Sequence, residues 1–432
     1  MLRTTMLAAA ASAFVAGGAV AQTEITFWHA MGGQLGETVN EIAKRFNESQ
    51  SDIVITPVYK GGYEDTLTAT IAAFRAGEQP NIVQVFDAGS ATIIGATGAV
   101  IPVADLIQEA GIAFDAEDYI SGVRYFFADS AGKMVGMPFN SSSPIMYYNT
   151  AALEEAGVEP PKTWEEFEMI APKLADAGYV PLAQSHTPWI FTENFHSRHN
   201  LPFATNNNGF DGAEGTRILV NNDAIKLHFT KLKEWLDNGW YGYYGAGWGD
   251  NQAPFENGEV AIWLGSSGSF GGLKNSVDFD FSATYLPYWE AVTTEPKQTF
   301  IGGAALFAMS GKSDEENMAT AKFFEFLTST DVQKFWHKET GYVPITTAAY
   351  EAAKAEGYYD EVPQAEVGIQ QLSLPSGDWS KGYRMGFYVQ IRDVMNREYG
   401  RIFAGETDVE TAFSVIEEEG NKLLERFAKT TN

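Results

Sequence analysis

From residue 24 to residue 86 the chain reads EITFWHAMGGQLGETVNEIAKRFNESQSDIVITPVYKGGYEDTLTATIAAFRAGEQPNIVQVF. Residues 24–29 alternate polar and apolar side chains, the period of a half-buried strand. Residues 36–47 follow with Val39, Ile42, Ala43 and Phe46 on one helical face. Residues 53–59 read as a second strand, Lys60-Gly61-Gly62 as a turn, 65–76 as a helix and 82–86 as a buried strand. This alternation predicts an α/β fold, a mostly parallel sheet with helices on both faces.

The pattern restarts downstream. Residues 145–148 form a strand, and Thr163-Trp164-Glu165-Glu166 is a capping box opening a helix to about residue 175. Residues 223–237 are amphipathic and closed by Gly239, while 259–264 and 304–309 read as buried strands. The chain ends in two helices, 383–399 and 409–427, with no repeat, low-complexity tract or linker. The junctions between the α/β blocks are short and extended: Met137-Pro138-Phe139-Asn140-Ser141-Ser142 and Ile301-Gly302-Gly303. Such crossings suit two lobes hinged by a few residues over a ligand. The expected division sets 22–138 with 303–345 against 139–302 with 346–432, with a further crossing after Tyr342. The chain is long enough for this, because single cores stop growing near ~250–300 residues.

At the start, Arg3 precedes an apolar run from residue 6 to about 15, Gly17-Gly18 breaks it, and Ala19-Val20-Ala21 offers small residues. This reads as a secretory signal peptide, residues 1–21, cleaved after Ala21 and too short to span a bilayer. The chain has no cysteine, which excludes disulfides, Cys-based zinc sites, thiol nucleophiles and a lipidated cysteine. A freely diffusing periplasmic protein is therefore expected. Removing Arg3 leaves 28 basic against 56 acidic residues, a formal charge of −28. Such a surface repels phosphate backbones and anionic lipid, which argues against nucleic acid and membrane-surface partners. A ligand in a cleft is governed by local donors, since distant charge is screened.

No catalytic set stands out. Gly311-Lys312-Ser313 resembles the end of a P-loop, but the required upstream glycine is Leu306, so a helix cap is the better reading. Residues 265–272, Gly-Ser-Ser-Gly-Ser-Phe-Gly-Gly, lack the spacing of a dinucleotide fingerprint or a nucleophile elbow. They read as a flexible, hydroxyl-rich loop able to cradle an anion. Glu193, His196 and His199 lie at helical spacing but lack a metalloprotease order, so a solvated helix face is expected and no metal. Trp28, Trp164, Trp189, Trp240, Trp248 and Trp263 fall near element ends, where several could stack on a polyol.

Seven segments then run in order: ITFWH (25–29), YKGGYE (59–64), PFNSSSP (138–144), PPKTW (160–164), NNGFDG (207–212), IGGA (301–304) and TGYVPIT (340–346). With Gln390-Ile391-Arg392, they resemble the periplasmic glycerol-3-phosphate-binding proteins of ABC importers, within the maltose-binding-like superfamily. The resemblance covers essentially the whole chain after residue 21. It implies a two-lobed type II periplasmic binding protein fold and a monomer without cofactor or chemistry. It also implies a permease and ATPase as partners. By position, the glycerol end of the ligand would meet Tyr63, Asp87 and Trp189. The phosphate would meet Ser142, Ser266, the Gly303 N–H, Tyr342 and Arg392, the guanidinium supplying a bidentate charge-assisted pair.

Two departures bear on the ligand. Asp87 stands where such proteins carry glutamate, shortening the reach by one methylene. Ser185-His186-Thr187-Pro188-Trp189 keeps one of two tryptophans and has His186 for the other, either lining the pocket or packing beside it. The choice lies between glycerol 3-phosphate and a phosphodiester such as glycerophosphocholine. A neutral oligosaccharide is the alternative ligand, and a secreted phosphodiesterase the alternative class.

Overall fold

The computed structural model describes residues 22–430 apart from Ser130 and Trp248. The expected signal peptide, residues 1–21, and Trp248 lie outside the described residues. Helix α1 (Gly33–Ser49) buries Val39, Ile42, Ala43 and Phe46, the face read from the sequence. Helix α2 (Tyr63–Ala76) starts two residues earlier than expected, with the Gly62 N–H donating to Asp65. Helix α3 (Asp87–Ile94) follows its strand without a loop.

Two mixed sheets organise the chain. Strands β1 (Thr23–His29), β2 (Ile53–Tyr59), β3 (Ile82–Phe86), β4 (Val100–Ile101) and β5 (Met137–Ser142) belong to the first. Strands β6 (Pro144–Asn149), β7 (Val180–Gln184), β8 (Tyr241–Gly242), β9 (Val260–Ser266) and β10 (Phe281–Thr284) form the second, and β11 (Gly302–Met309) returns to the first. The first sheet runs β2-β1-β3-β11-β4 with β5 beside β11, and the second β10-β6-β9-β7-β8. The β1–β2, β1–β3, β7–β8 and β7–β9 pairs are parallel. Strand β11, where the chain returns to the first sheet, runs antiparallel to its neighbours, as β6 does in the second sheet.

The passage between sheets is abrupt. Ser142 ends β5 and Pro144 begins β6, so Ser143 alone links them. Its hydroxyl is buried, 2.8 Å from Thr299 Oγ1 and accepting from Gln371 Nε2 at 2.8 Å. The whole of β5, which the expected division splits at residue 138, pairs within the first sheet.

Local chemistry explains the element ends. Thr163 and Ser313 each cap a helix through a reciprocal box with Glu166 and Glu316, so Gly311-Lys312-Ser313 is a cap. The final pair differs at its start. Helix Tyr388–Phe403 begins later than residue 383, because Phe387 takes a φ of 53° and Gly386 lies against the Phe427 ring. Residues 265–272 are not a loose loop: they finish β9, form the single turn Ser267–Ser269 and open helix Phe270–Ser276. Ser266, Ser267 and Ser269 are buried, because Tyr147 Oη donates to the Ser266 carbonyl and the Ser267 N–H donates to Ser143.

Candidate functional site

Strand direction gathers the site. In an α/β sheet the carboxyl ends of the strands are where loops converge on ligands. Asp87 follows β3 directly, Ser142 ends β5, Ser266 ends β9, and His186 and Trp189 follow β7. Because β11 runs antiparallel to β3 and β5, its first residues lie beside their last: Ala304 opposite Phe86 and Gly302 opposite Ser142. Gly303 therefore stands at the same edge. Between the two sheets lies a cleft of about 600 Å³, within the usual range for small-molecule sites. Tyr63, Asp87, Ser142, Trp189, Ser266, Gly303, Tyr342, Arg392 and His186 all line it.

Close packing sets the walls. A Cβ at Gly302 would lie 2.2 Å from the Trp189 ring, and one at Gly268 2.5 Å from the Tyr342 ring. Gly303, with φ at 94°, would bring a Cβ within 1.8 Å of the Asn140 carbonyl. Tyr63 stacks on Phe86 at 5.0 Å between centroids, and Tyr342 on Trp336 at 5.7 Å. Asn140 donates to the Tyr63 oxygen at 2.7 Å and accepts from Gln84 at 2.8 Å. Burial holds both tyrosine hydroxyls above their ordinary pKa, so they remain protonated. The Trp189 indole N–H is buried with no acceptor among the described residues.

At one end of the cleft sits Arg392. Its Nε and Nη2 donate to Glu193 Oε1 and Oε2, each at 2.8 Å. Nη2 and Nη1 donate to Asp87 Oδ2 and Oδ1 at 2.8 and 3.2 Å. Burial opposes the guanidinium charge, but the two carboxylates outweigh it and hold the pKa well above the ordinary value. Glu193 is fully buried and also accepts from Tyr383 Oη at 2.9 Å and Tyr388 Oη at 3.0 Å. His186 is kept neutral, its pKa lowered to about 3 by burial and by Arg392.

This geometry bears on the expected division of the ligand. Asp87 and Arg392, assigned to opposite ends, are bonded to each other. Four of the five guanidinium N–H groups point at carboxylates. The physical reason is that two buried carboxylates need a cation, and among the described residues Arg392 is the one ion-paired to both.

Glu193, His196 and His199 are likewise not a solvated helix face. All three are buried, with His196 and His199 bonded to the Thr192 and Phe195 carbonyls through Nδ1. Of the tryptophans, Trp189 lines the cleft, whereas Trp164 and Trp263 are core. Residues 265–272 do contribute Ser266, Gly268, Ser269 and Gly272 to the wall. Sequence reasoning did not assign Asn140, Glu193, Tyr383 or Tyr388 to this site. The available signal was a polar residue inside an apolar run, as with Gln84 in Ile-Val-Gln-Val-Phe and Glu193 in Trp-Ile-Phe-Thr-Glu-Asn-Phe.

Among the described residues no helix is long and apolar enough to cross a membrane. The bacterial extracellular solute-binding protein family matches residues 41–364. The chain is 39% identical over 436 residues to the sn-glycerol-3-phosphate-binding periplasmic protein UgpB of Salmonella paratyphi A, covering 100% of this chain and 99% of that protein. It is 40% identical over 427 residues to the protein of the same name from Agrobacterium fabrum, covering 98% and 97%. The structure is similar to UgpB from Mycobacterium tuberculosis in complex with glycerophosphocholine, with a TM-score of 0.78 at 21% identity, covering 94% of this chain and 99% of that one. It is equally similar to the GacH receptor of Streptomyces glaucescens, with a TM-score of 0.78 at 17% identity, covering 94% and 99%. The solved structures establish the two-lobed binding-protein fold, and with the family match and the full-length relatives the conclusion follows: this chain belongs to the bacterial extracellular solute-binding proteins.

Proposed function

We propose that this protein is the periplasmic solute-binding component of an ABC importer. It captures glycerol 3-phosphate and glycerophosphodiesters such as glycerophosphocholine, and delivers the closed complex to a membrane permease and its ATPase. It acts by binding alone. The observation that carries this reading is the convergence of Tyr63, Asp87, Ser142, Trp189, Ser266, Gly303, Tyr342 and Arg392 on one interlobe cleft in a chain of this ancestry. Two bodies, close to the expected division but with all of β5 in the first, would close over the ligand about Ser143 and Phe300–Ile301.

The phosphate is best served by the wall of Ser142, Ser266, Ser269 and Gly303, where hydroxyls and backbone N–H groups donate without bulk. The hydroxyl end then falls to Asp87, Arg392 and Tyr63. One observation favours a diester: Glu64, Glu339 and Asp393 stand exposed among the lining residues, an acidic mouth suited to a cationic head group. A cleft of about 600 Å³, room for roughly twenty waters at ~30 Å³ each, also exceeds what glycerol 3-phosphate alone would fill.

A thermal-shift and calorimetry panel of glycerol 3-phosphate, glycerophosphocholine and maltose tests this. Both phosphate ligands should stabilise the protein by about 2.7 kcal/mol at a hundredfold excess over Kd, and maltose should not. Stabilisation by maltose alone would favour the neutral oligosaccharide instead. Release of choline from glycerophosphocholine would favour the phosphodiesterase.

A further inference from the structure

Arg392 reaches Asp87 in a particular orientation, and something must set it. Helix Tyr388–Phe403 places Tyr388 and Arg392 four residues apart, on one face, with the guanidinium 5.5 Å from the Tyr388 ring centroid. An arginine so placed keeps several rotamers. Glu193 removes that freedom. It ends the single turn Pro188–Glu193 that also carries Trp189, and its oxygens grip Nε and Nη2. The Tyr383 and Tyr388 hydroxyls in turn fix the carboxylate. Only the Nη edge is then left to meet Asp87.

We propose that Glu193 is a positioning residue of the ligand site: it aims Arg392 at Asp87 and leaves that end of the cleft net anionic, so that it takes hydroxyls and rejects phosphate. Two carboxylates share one guanidinium here, an excess of one negative charge where the surroundings screen it weakly. A hydroxyl can donate to Asp87 and accept from the remaining Nη1 N–H at no electrostatic cost. A phosphate oxygen at the same place faces the surplus charge. The ligand is thereby oriented, phosphate toward the serines. This inference rests on the reading of the cleft as a glycerophosphate site.

The test uses E193Q, R392M and the double variant in the full-length mature protein, titrated calorimetrically with glycerol 3-phosphate and with inorganic phosphate. Glutamine keeps the size of Glu193 and removes its charge. E193Q should weaken glycerol 3-phosphate by roughly tenfold or more, as expected when a charge-assisted partner is lost. The preference for glycerol 3-phosphate over inorganic phosphate should fall with it. In the R392M background the same change should alter affinity less than about threefold, because Glu193 acts through Arg392. Equal losses in both backgrounds would show a structural tie only and overturn the proposal, as would an unchanged preference in E193Q.

A ligand-free measurement separates this from the ligand assignment. The Arg392 Nε–H should exchange slowly with water in the wild type and fast in E193Q by NMR, and equal exchange in both would also overturn it. Failure of the wild type to bind any glycerophosphate would remove the ligand reading and leave the exchange measurement to decide whether Glu193 positions Arg392. If E193Q does not fold, Tyr388→Phe, which keeps the ring and removes one hydrogen bond to Glu193, should lower glycerol 3-phosphate affinity and speed that exchange in the same direction. No change in either would count against Glu193.

Discussion

Arg392 concentrates the energetics of the cleft in one side chain. It is ion-paired to both Asp87 and Glu193 at distances of 2.8 Å and is itself about six-sevenths buried. Buried pairs of this kind contribute little net stability when made, yet removing one partner strands the other charge. Arg392→Ala should therefore cost ~2–5 kcal/mol of ligand binding. It should also lower the melting temperature of the ligand-free protein, since two carboxylates lose their cation. Calorimetry with glycerol 3-phosphate and a thermal melt without ligand check the two parts. Unchanged affinity would remove Arg392 from the site.

The helix Thr330–Thr340 shows how an element delivers a residue to the cleft. Gly341, with φ at 84°, ends the helix, and His337 Nδ1 bonds the Tyr342 carbonyl at 2.7 Å while Nε2 accepts from Tyr359. Burial lowers the His337 pKa to about 4, partly offset by the bond to Tyr342. An unfolded histidine titrates near 6.5, so between these values the unfolded chain binds a proton that the folded chain does not. Stability from His337 is thus complete above pH 6.5 and falls as the pH drops toward 4. The slope is up to about 1.4 kcal/mol per pH unit. His196, also lowered to about 4 by burial, acts in the same window. Urea midpoints should decline from pH 6.5 to 4.5, and His337→Gln should decline less steeply. Parallel slopes would show that His337 carries none of this dependence.

Elements of this kind were legible where their signal is local. Val39, Ile42, Ala43 and Phe46 share a face because helical periodicity and burial are both properties of a few turns. Residues 265–272 were misread because glycine and serine content signals a loop unless distant neighbours supply hydrogen-bond partners. Here Ser143 and Tyr147 lie more than a hundred residues away.

At the scale of the molecule, the acidic surface and the cleft are electrostatically separate. The chain carries 56 acidic against 29 basic residues, yet the screening length is only ~10 Å at 0.1 M salt. Ligand affinity is set by groups buried within the cleft, so raising salt from about 0.05 to 0.5 M should change Kd by less than about threefold. A tenfold tightening with salt would mean instead that the surface charge repels the anion.

Sequence alone determined the alternation of strands and helices, the cysteine-free construction and the segments shared with a binding-protein family, because each is written in neighbouring residues. It also named nine positions that the cleft brings together. Only the tertiary structure decided what those positions do to one another. Arg392 lies 199 residues from Glu193 and 305 from Asp87, and the Coulomb attraction that joins them depends on distance through space. Nothing along the chain encodes that distance until both sheets have formed and brought their strand ends to one edge.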